Sequence, residues 1–144
     1  MNSQNTKTFD ILLVEDNSAD ARLIKEFLGE TDAVNKLHIQ HDGMKAMEYL
    51  NQCKEDDYYP QLVLLDLNLP RKGGIEVLKE IKGDKDLRKL PVIILTTSTA
   101  REDIKECYDN YANCYITKPV EFDEFANTID LVKNFWLNMA VLPK

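Results

Sequence analysis

Five times along this chain a short apolar run rich in β-formers is followed by a longer amphipathic segment. That alternation leaves few folds open. FDILLV (9–14), KLHIQ (36–40), QLVLLD (61–66), PVIILT (91–96) and CYIT (114–117) read as strands. Asn17 and Ser18 offer caps for a helix reaching about Gly29. GMKAMEYLNQ (43–52), GIEVLKEIK (74–82), REDIKECYDNY (101–111) and FDEFANTIDLVKNFWL (122–137) supply four more helices. In the third, Ile75, Val77, Leu78 and Ile81 form an apolar face and Gly83 stops the helix. Strands one, three and four are apolar almost throughout, as strands covered on both faces must be. The expectation is an α/β domain with a five-stranded parallel sheet and helices on both faces. Right-handed crossovers and one reversal of winding give a doubly wound, flavodoxin-like sheet of order 2-1-3-4-5. Ligands of such a sheet gather at the carboxyl ends of the strands, where strands one and three diverge.

A length of 144 residues suits one domain. The expected division is a disordered tail over 1–7, a domain over 8–138 and a short tail over 139–144, too short for an output domain. No apolar run approaches the ~18 residues of a membrane span, and MNSQNTKTFD has no secretory pattern. A net charge of −7 argues against nonspecific nucleic-acid binding, which relies on Lys and Arg neutralising phosphates. Cys53, Cys107 and Cys114 are odd in number and lack C-x-x-C spacing, so they read as reduced thiols of a cytoplasmic protein. His38 and His41, around the second strand, read as surface residues.

The strand ends carry the chemistry. Strand one runs into Glu15, Asp16 and Asn17, and strand three into Asp66, Leu67, Asn68, Leu69 and Pro70. Strand four ends in Thr96, Thr97, Ser98 and Thr99, and strand five in Thr117, Lys118 and Pro119. Alone, Asp16 or Asp66 could cap a helix, Thr96 could be a strand residue and Lys118 a surface lysine. Together they put acids, a hydroxyl and an ammonium at four strand ends of one sheet. Three crowded carboxylates repel unless a cation lies among them, and oxygen-only ligands favour a hard ion such as Mg2+. Asp66 is then placed as a nucleophile toward phosphorus, with Lys118 and the Thr96 hydroxyl available to phosphoryl oxygens.

These residues make the chain resemble the receiver domain of two-component response regulators over about 8–138. The resemblance implies a phosphoacceptor at Asp66, an acidic pair at Glu15 and Asp16, a switch hydroxyl at Thr96, a lysine at Lys118 and an aromatic switch at Tyr115. It implies that Asp16, Asp66 and the Asn68 backbone carbonyl hold Mg2+, with Glu15 acting mainly through water, and that the Lys118–Pro119 bond is cis. Pro70 and Gly74 match the loop that follows the phosphoacceptor. DLNLPRKGGIEVLKEIK, LPVIILTTST and FWLNMAVLP resemble the narrower group of regulators paired with phytochrome-type and related hybrid histidine kinases. Gly73 and Thr97 depart mildly from the common pattern.

The implied function is a phosphorelay component, not a turnover enzyme. A histidine kinase would phosphorylate Asp66, Thr96 would move toward the phosphoryl group, and Tyr115 would turn inward, altering the surface seen by a downstream protein. In the last helix Phe122, Phe125, Ile129, Val132 and Trp136 are spaced to face the sheet. Leu131 and Phe135 form an offset stripe, read as the face of a homodimer. Three alternatives fit less well. A haloacid-dehalogenase-type phosphatase needs D-x-D-x-[TV] on strand one, an FMN carrier would not place Glu15 and Asp16 against phosphate, and a pseudo-receiver would lack one of the key residues.

Overall fold

The computed structural model describes residues 9–29 and 34–143; the tail expected over 1–7 lies outside the described residues. The chain alternates as β1 (Phe9–Val14), α1 (Ser18–Gly29), β2 (Val34–Gln40), α2 (Gly43–Asp56), β3 (Leu62–Leu65), α3 (Gly74–Gly83), β4 (Val92–Thr96), α4 (Arg101–Asp109), β5 (Cys114–Thr117) and α5 (Phe122–Val132). The five strands form one sheet of order β2-β1-β3-β4-β5, every pairing parallel, as the alternation requires.

Period-two side-chain alternation divides the central strands between two cores. Leu12, Val14, Val63, Leu65, Val92 and Ile94 pack against α2, α3 and α4 through Leu50, Val77, Leu78, Ile81 and Cys107. Ile11, Leu13, Leu62, Leu64, Ile93 and Leu95 pack against α1 and α5 through Ile24, Leu28, Phe125 and Ile129. Leu62 to Leu65 are all inaccessible to solvent, each such side chain contributing roughly 1.5–3 kcal/mol. β3 is thereby fixed from both faces, and so is the residue that follows it.

Four local features differ from the sequence expectation. Phe122 does not face the sheet; it is exposed at the start of α5, its ring 6.1 Å from that of Phe27. The last helix turns π-helical over Lys133–Met139, with Ala140 N–H donating to the Phe135 carbonyl at 2.8 Å. This wider turn shifts the helical phase, so Leu137 is buried where a straight α-helix would have presented Trp136, now only half-buried. The Lys118–Pro119 bond is trans rather than cis, the isomer X–Pro bonds favour by ~0.5–1 kcal/mol. His41 is exposed as expected, but His38 is half-buried, its ring 5.0 Å from that of Tyr49. All three cysteines are free.

Candidate phosphoacceptor site

Each central residue of the site is the first beyond a strand, and its amide continues the ladder. Glu15 N–H donates to the Gln40 carbonyl at 3.0 Å, Asp66 N–H to that of Val14 at 3.0 Å, and Lys118 N–H to that of Thr96 at 2.7 Å. The sheet register therefore decides where these side chains emerge. Glu15, Asp66, Thr96 and Lys118 are all buried, while Asp16 is exposed.

Lys118 is the hub. Its ammonium lies 2.7 Å from Glu15 Oε1, 2.9 Å from Asp20 Oδ2 and 3.1 Å from Asp66 Oδ2, so its three protons meet three carboxylates. The other Asp66 oxygen, Oδ1, accepts from the Leu67 amide at 2.6 Å and the Asn68 amide at 3.3 Å. Behind it, a Cβ on Gly74 would stand 2.2 Å from the Asp66 carbonyl oxygen and 2.6 Å from Leu67 Cα. Only glycine lets the N-terminus of α3 approach the loop after Asp66 this closely.

Two acids beside one ammonium do not ionise alike. Burial, reinforced by the Asp66 charge, outweighs the Lys118 interactions at Glu15 and pushes its carboxyl up to about 7. Burial also disfavours an ionised Asp66, but the Lys118 charge and hydrogen bonds from Glu15, Thr96 and Lys118 outweigh it and hold that carboxyl below its ordinary value. For Lys118, bonds to Glu15 and Asp20 and the charges of Glu15 and Asp66 overcome burial and raise the ammonium's pKa. Asp66 is thus the ionised carboxylate, and Glu15 is the one that readily keeps a proton.

Beyond β4, Ser98 gathers several bonds. Its amide donates to Thr96 Oγ1 at 3.4 Å, its hydroxyl to Asp103 Oδ2 at 2.6 Å, and its carbonyl accepts from the Tyr115 hydroxyl at 2.9 Å. Tyr115 is half-buried, and its backbone amide donates to the Tyr108 hydroxyl at 3.1 Å. Thr96 and Tyr115 are therefore two bonds apart through Ser98. On the last helix Leu131 and Phe135 are 61% and 52% exposed, beside Met139 at 74%.

The structure brings Glu15, Asp66 and Lys118 together and links Thr96 to Tyr115. It does not gather three carboxylates into a cage: no group of three His, Cys, Asp or Glu side chains is arranged to hold a metal among the described residues. Lys118 lies among the acids instead. The donor chemistry still suits a hard divalent cation, being oxygen-only and containing a carboxyl, Glu15, whose ionisation burial opposes and a further positive charge would favour. Sequence reasoning missed Asp20, and it placed Ser98 at the end of strand four without giving it a part. Asp20 lies three residues after the Asn17 cap, one turn into α1, a spacing that signals the helix start and not the contact with Lys118.

The model of the response regulator receiver domain matches residues 11–130. Response regulator Rcp1 of Synechocystis sp. is 43% identical over 135 residues, covering 92% of each chain. The phosphorylated cyanobacterial phytochrome response regulator RcpA superposes with a TM-score of 0.91 at 44% identity, over 95% of this chain and 99% of its own. The Mn2+-bound form of Rcp1 superposes with a TM-score of 0.87 at 41% identity, over 94% and 99% respectively.

Proposed function

Because this chain belongs to the response regulator receiver family, we propose that it is a single-domain regulator, its receiver spanning 8–138, that accepts a phosphoryl group on Asp66. The observation that carries this is the environment of Asp66: a buried, ionised carboxylate at the end of a rigid strand, 3.1 Å from the Lys118 ammonium. The donor is the phosphohistidine of a histidine kinase, of the phytochrome or hybrid type given the similarity to Rcp1 and RcpA. An Asp66 oxygen forms a bond to phosphorus while the phosphorus–nitrogen bond breaks, its electron pair returning to the imidazole.

Asp16, Asp66 and the Asn68 carbonyl would hold Mg2+, with Glu15 alongside; the cation supplies charge neutralisation for the incoming phosphoryl oxygens. Lys118 pairs with one phosphoryl oxygen and the Thr96 hydroxyl donates to another. Movement of Thr96 pulls on the Ser98 amide and, through the Ser98 carbonyl, on Tyr115. The face of α4, β5 and α5 then changes for a downstream protein, and the exposed Leu131 and Phe135 form the contact of a homodimer. The chain turns over no external substrate on this reading. No helix among the described residues is long and apolar enough to cross a membrane, and we place the protein in the cytoplasm.

The test is incubation with Mg2+ and acetyl phosphate, followed by intact-mass measurement. One base-labile phosphoryl adduct is expected in the natural chain and none in Asp66→Asn. An adduct that survives Asp66→Asn, or none in the natural chain, overturns the proposal.

A further inference from the structure

The stretch Glu15–Asp20 and Lys118 close a ring of hydrogen bonds. The Asn17 amide donates to Glu15 Oε2 at 3.1 Å, and the Asp20 amide donates to Asn17 Oδ1 at 2.9 Å. Lys118 Nζ then bridges Glu15 Oε1 at 2.7 Å and Asp20 Oδ2 at 2.9 Å. The backbone of Asp20 serves the helix cap, which leaves its side chain free to address the lysine. Among the three acids on Lys118, Glu15 and Asp66 have side chains 1% and 7% exposed, whereas Asp20 is 26% exposed and covers the ammonium from solvent.

We infer that Asp20 is a positioning residue for phosphoryl transfer, holding the Lys118 ammonium on the α1 side of Asp66 where it meets the incoming group. This rests on the proposed phosphoacceptor role of Asp66. The ammonium has three protons and a long flexible stem, so its direction is set by what accepts from it. Glu15 and Asp66 hold the ammonium only from the strand ends; Asp20 supplies a third fixed point, from a helix. Misplacement by about an ångström in a reaction run on positioning and charge lowers its rate many-fold. The Asn17 cap uses only backbone and Asn17 atoms, so replacing the Asp20 side chain leaves it in place.

The full chain is compared as the natural form, Asp20→Ala and Asp20→Asn, phosphorylated with acetyl phosphate and Mg2+. Asp20→Ala is expected to lower the maximal phosphorylation rate about five- to tenfold, by loss of orientation, with the half-saturating donor concentration unchanged. Asp20→Asn, which keeps an acceptor oxygen, recovers at least half of that rate. A second readout needs no phosphorylation: reductive methylation of Lys118, followed by peptide mass spectrometry against the other lysines, accelerates several-fold in Asp20→Ala. Natural-like rates of both phosphorylation and methylation in Asp20→Ala overturn the inference. A natural chain that never forms the adduct overturns the phosphoacceptor reading, and methylation then still decides whether Asp20 holds Lys118.

Discussion

Replacing Lys118 by Met keeps most of the buried stem and deletes the charge. Three carboxylates then lose their common partner, two of them with side chains only 1% and 7% exposed. Removing one member of a buried ionic cluster costs about 3–5 kcal/mol, because the remaining charge has neither solvent nor counter-ion. The cost here depends on pH. Without Lys118, Glu15 and Asp66 hold protons more tightly folded than unfolded, and Glu15 already titrates at about 7 with the lysine in place. Groups whose folded pKa is raised give stability that is complete below their unfolded pKa and is lost as pH rises through the folded one. The deficit of Lys118→Met is therefore largest above neutrality. On acidification it closes by up to ~1.4 kcal/mol per pH unit wherever the variant keeps one proton that the natural chain has released. Urea unfolding of both chains without divalent metal, at about pH 8 and about pH 5.5, measures it. A loss of at least 3 kcal/mol at the higher pH and roughly half of that at the lower is expected. The added change Glu15→Gln should restore part of the loss at the higher pH. A deficit under about 1 kcal/mol, or one equal at both pH values, refutes the account of a buried ionic hub.

Gly74→Ala places a methyl 2.2 Å from the Asp66 carbonyl oxygen, a backbone atom that cannot swing aside. Urea unfolding should show a loss of ~2–3 kcal/mol, with slower phosphorylation; natural-like stability would mean that α3 shifts freely. Cys107 is fully buried, and burial, with the nearby Asp103 and Glu106 charges, pushes its thiol from 9.0 to about 11. Its raised value gives stability present below 9.0 and lost as pH rises through about 11. Between about pH 8 and pH 10.5 the natural chain should lose ~1–2 kcal/mol more than Cys107→Ala, and parallel curves would contradict this. Phe135→Asp puts a charge into the exposed stripe of the last helix; sedimentation should show a monomer, and an unchanged assembly state would remove that helix from the interface.

How far the sequence could be read depended on how local the signal was. β1, β3 and β4 were legible because their residues are apolar on both faces, and the winding followed from the β/α alternation. Glu15, Asp66 and Lys118 were legible because each stands at the carboxyl end of a strand run. Asp20 was not, because its part in the site depends on a contact with Lys118, 98 residues away. Its spacing from Asn17 announced a helix cap and nothing more. The π-helical turn after α5 was invisible for a different reason: Phe125, Ile129, Val132 and Trp136 fit a straight helix equally well. Only packing of Leu137 into the core decides between the two phases. Phe122 misled in the same way, since its spacing belongs to the apolar stripe but its place at the helix start leaves it against Phe27.

The lysine hub also ties chemistry to the order of assembly. β5 is the last strand and an edge strand, paired only with β4, and it alone delivers Lys118 to Asp66. Contacts across such long sequence separations close late in folding, after local ones. A nascent chain, or one whose β5 has peeled away, still carries Asp66 but has no ammonium beside it. On the proposed phosphoacceptor reading, such a molecule lacks the cation that would meet an incoming phosphoryl group. On that reading, the ring from Glu15 to Lys118 would tie acceptance of a phosphoryl group to completion of the sheet.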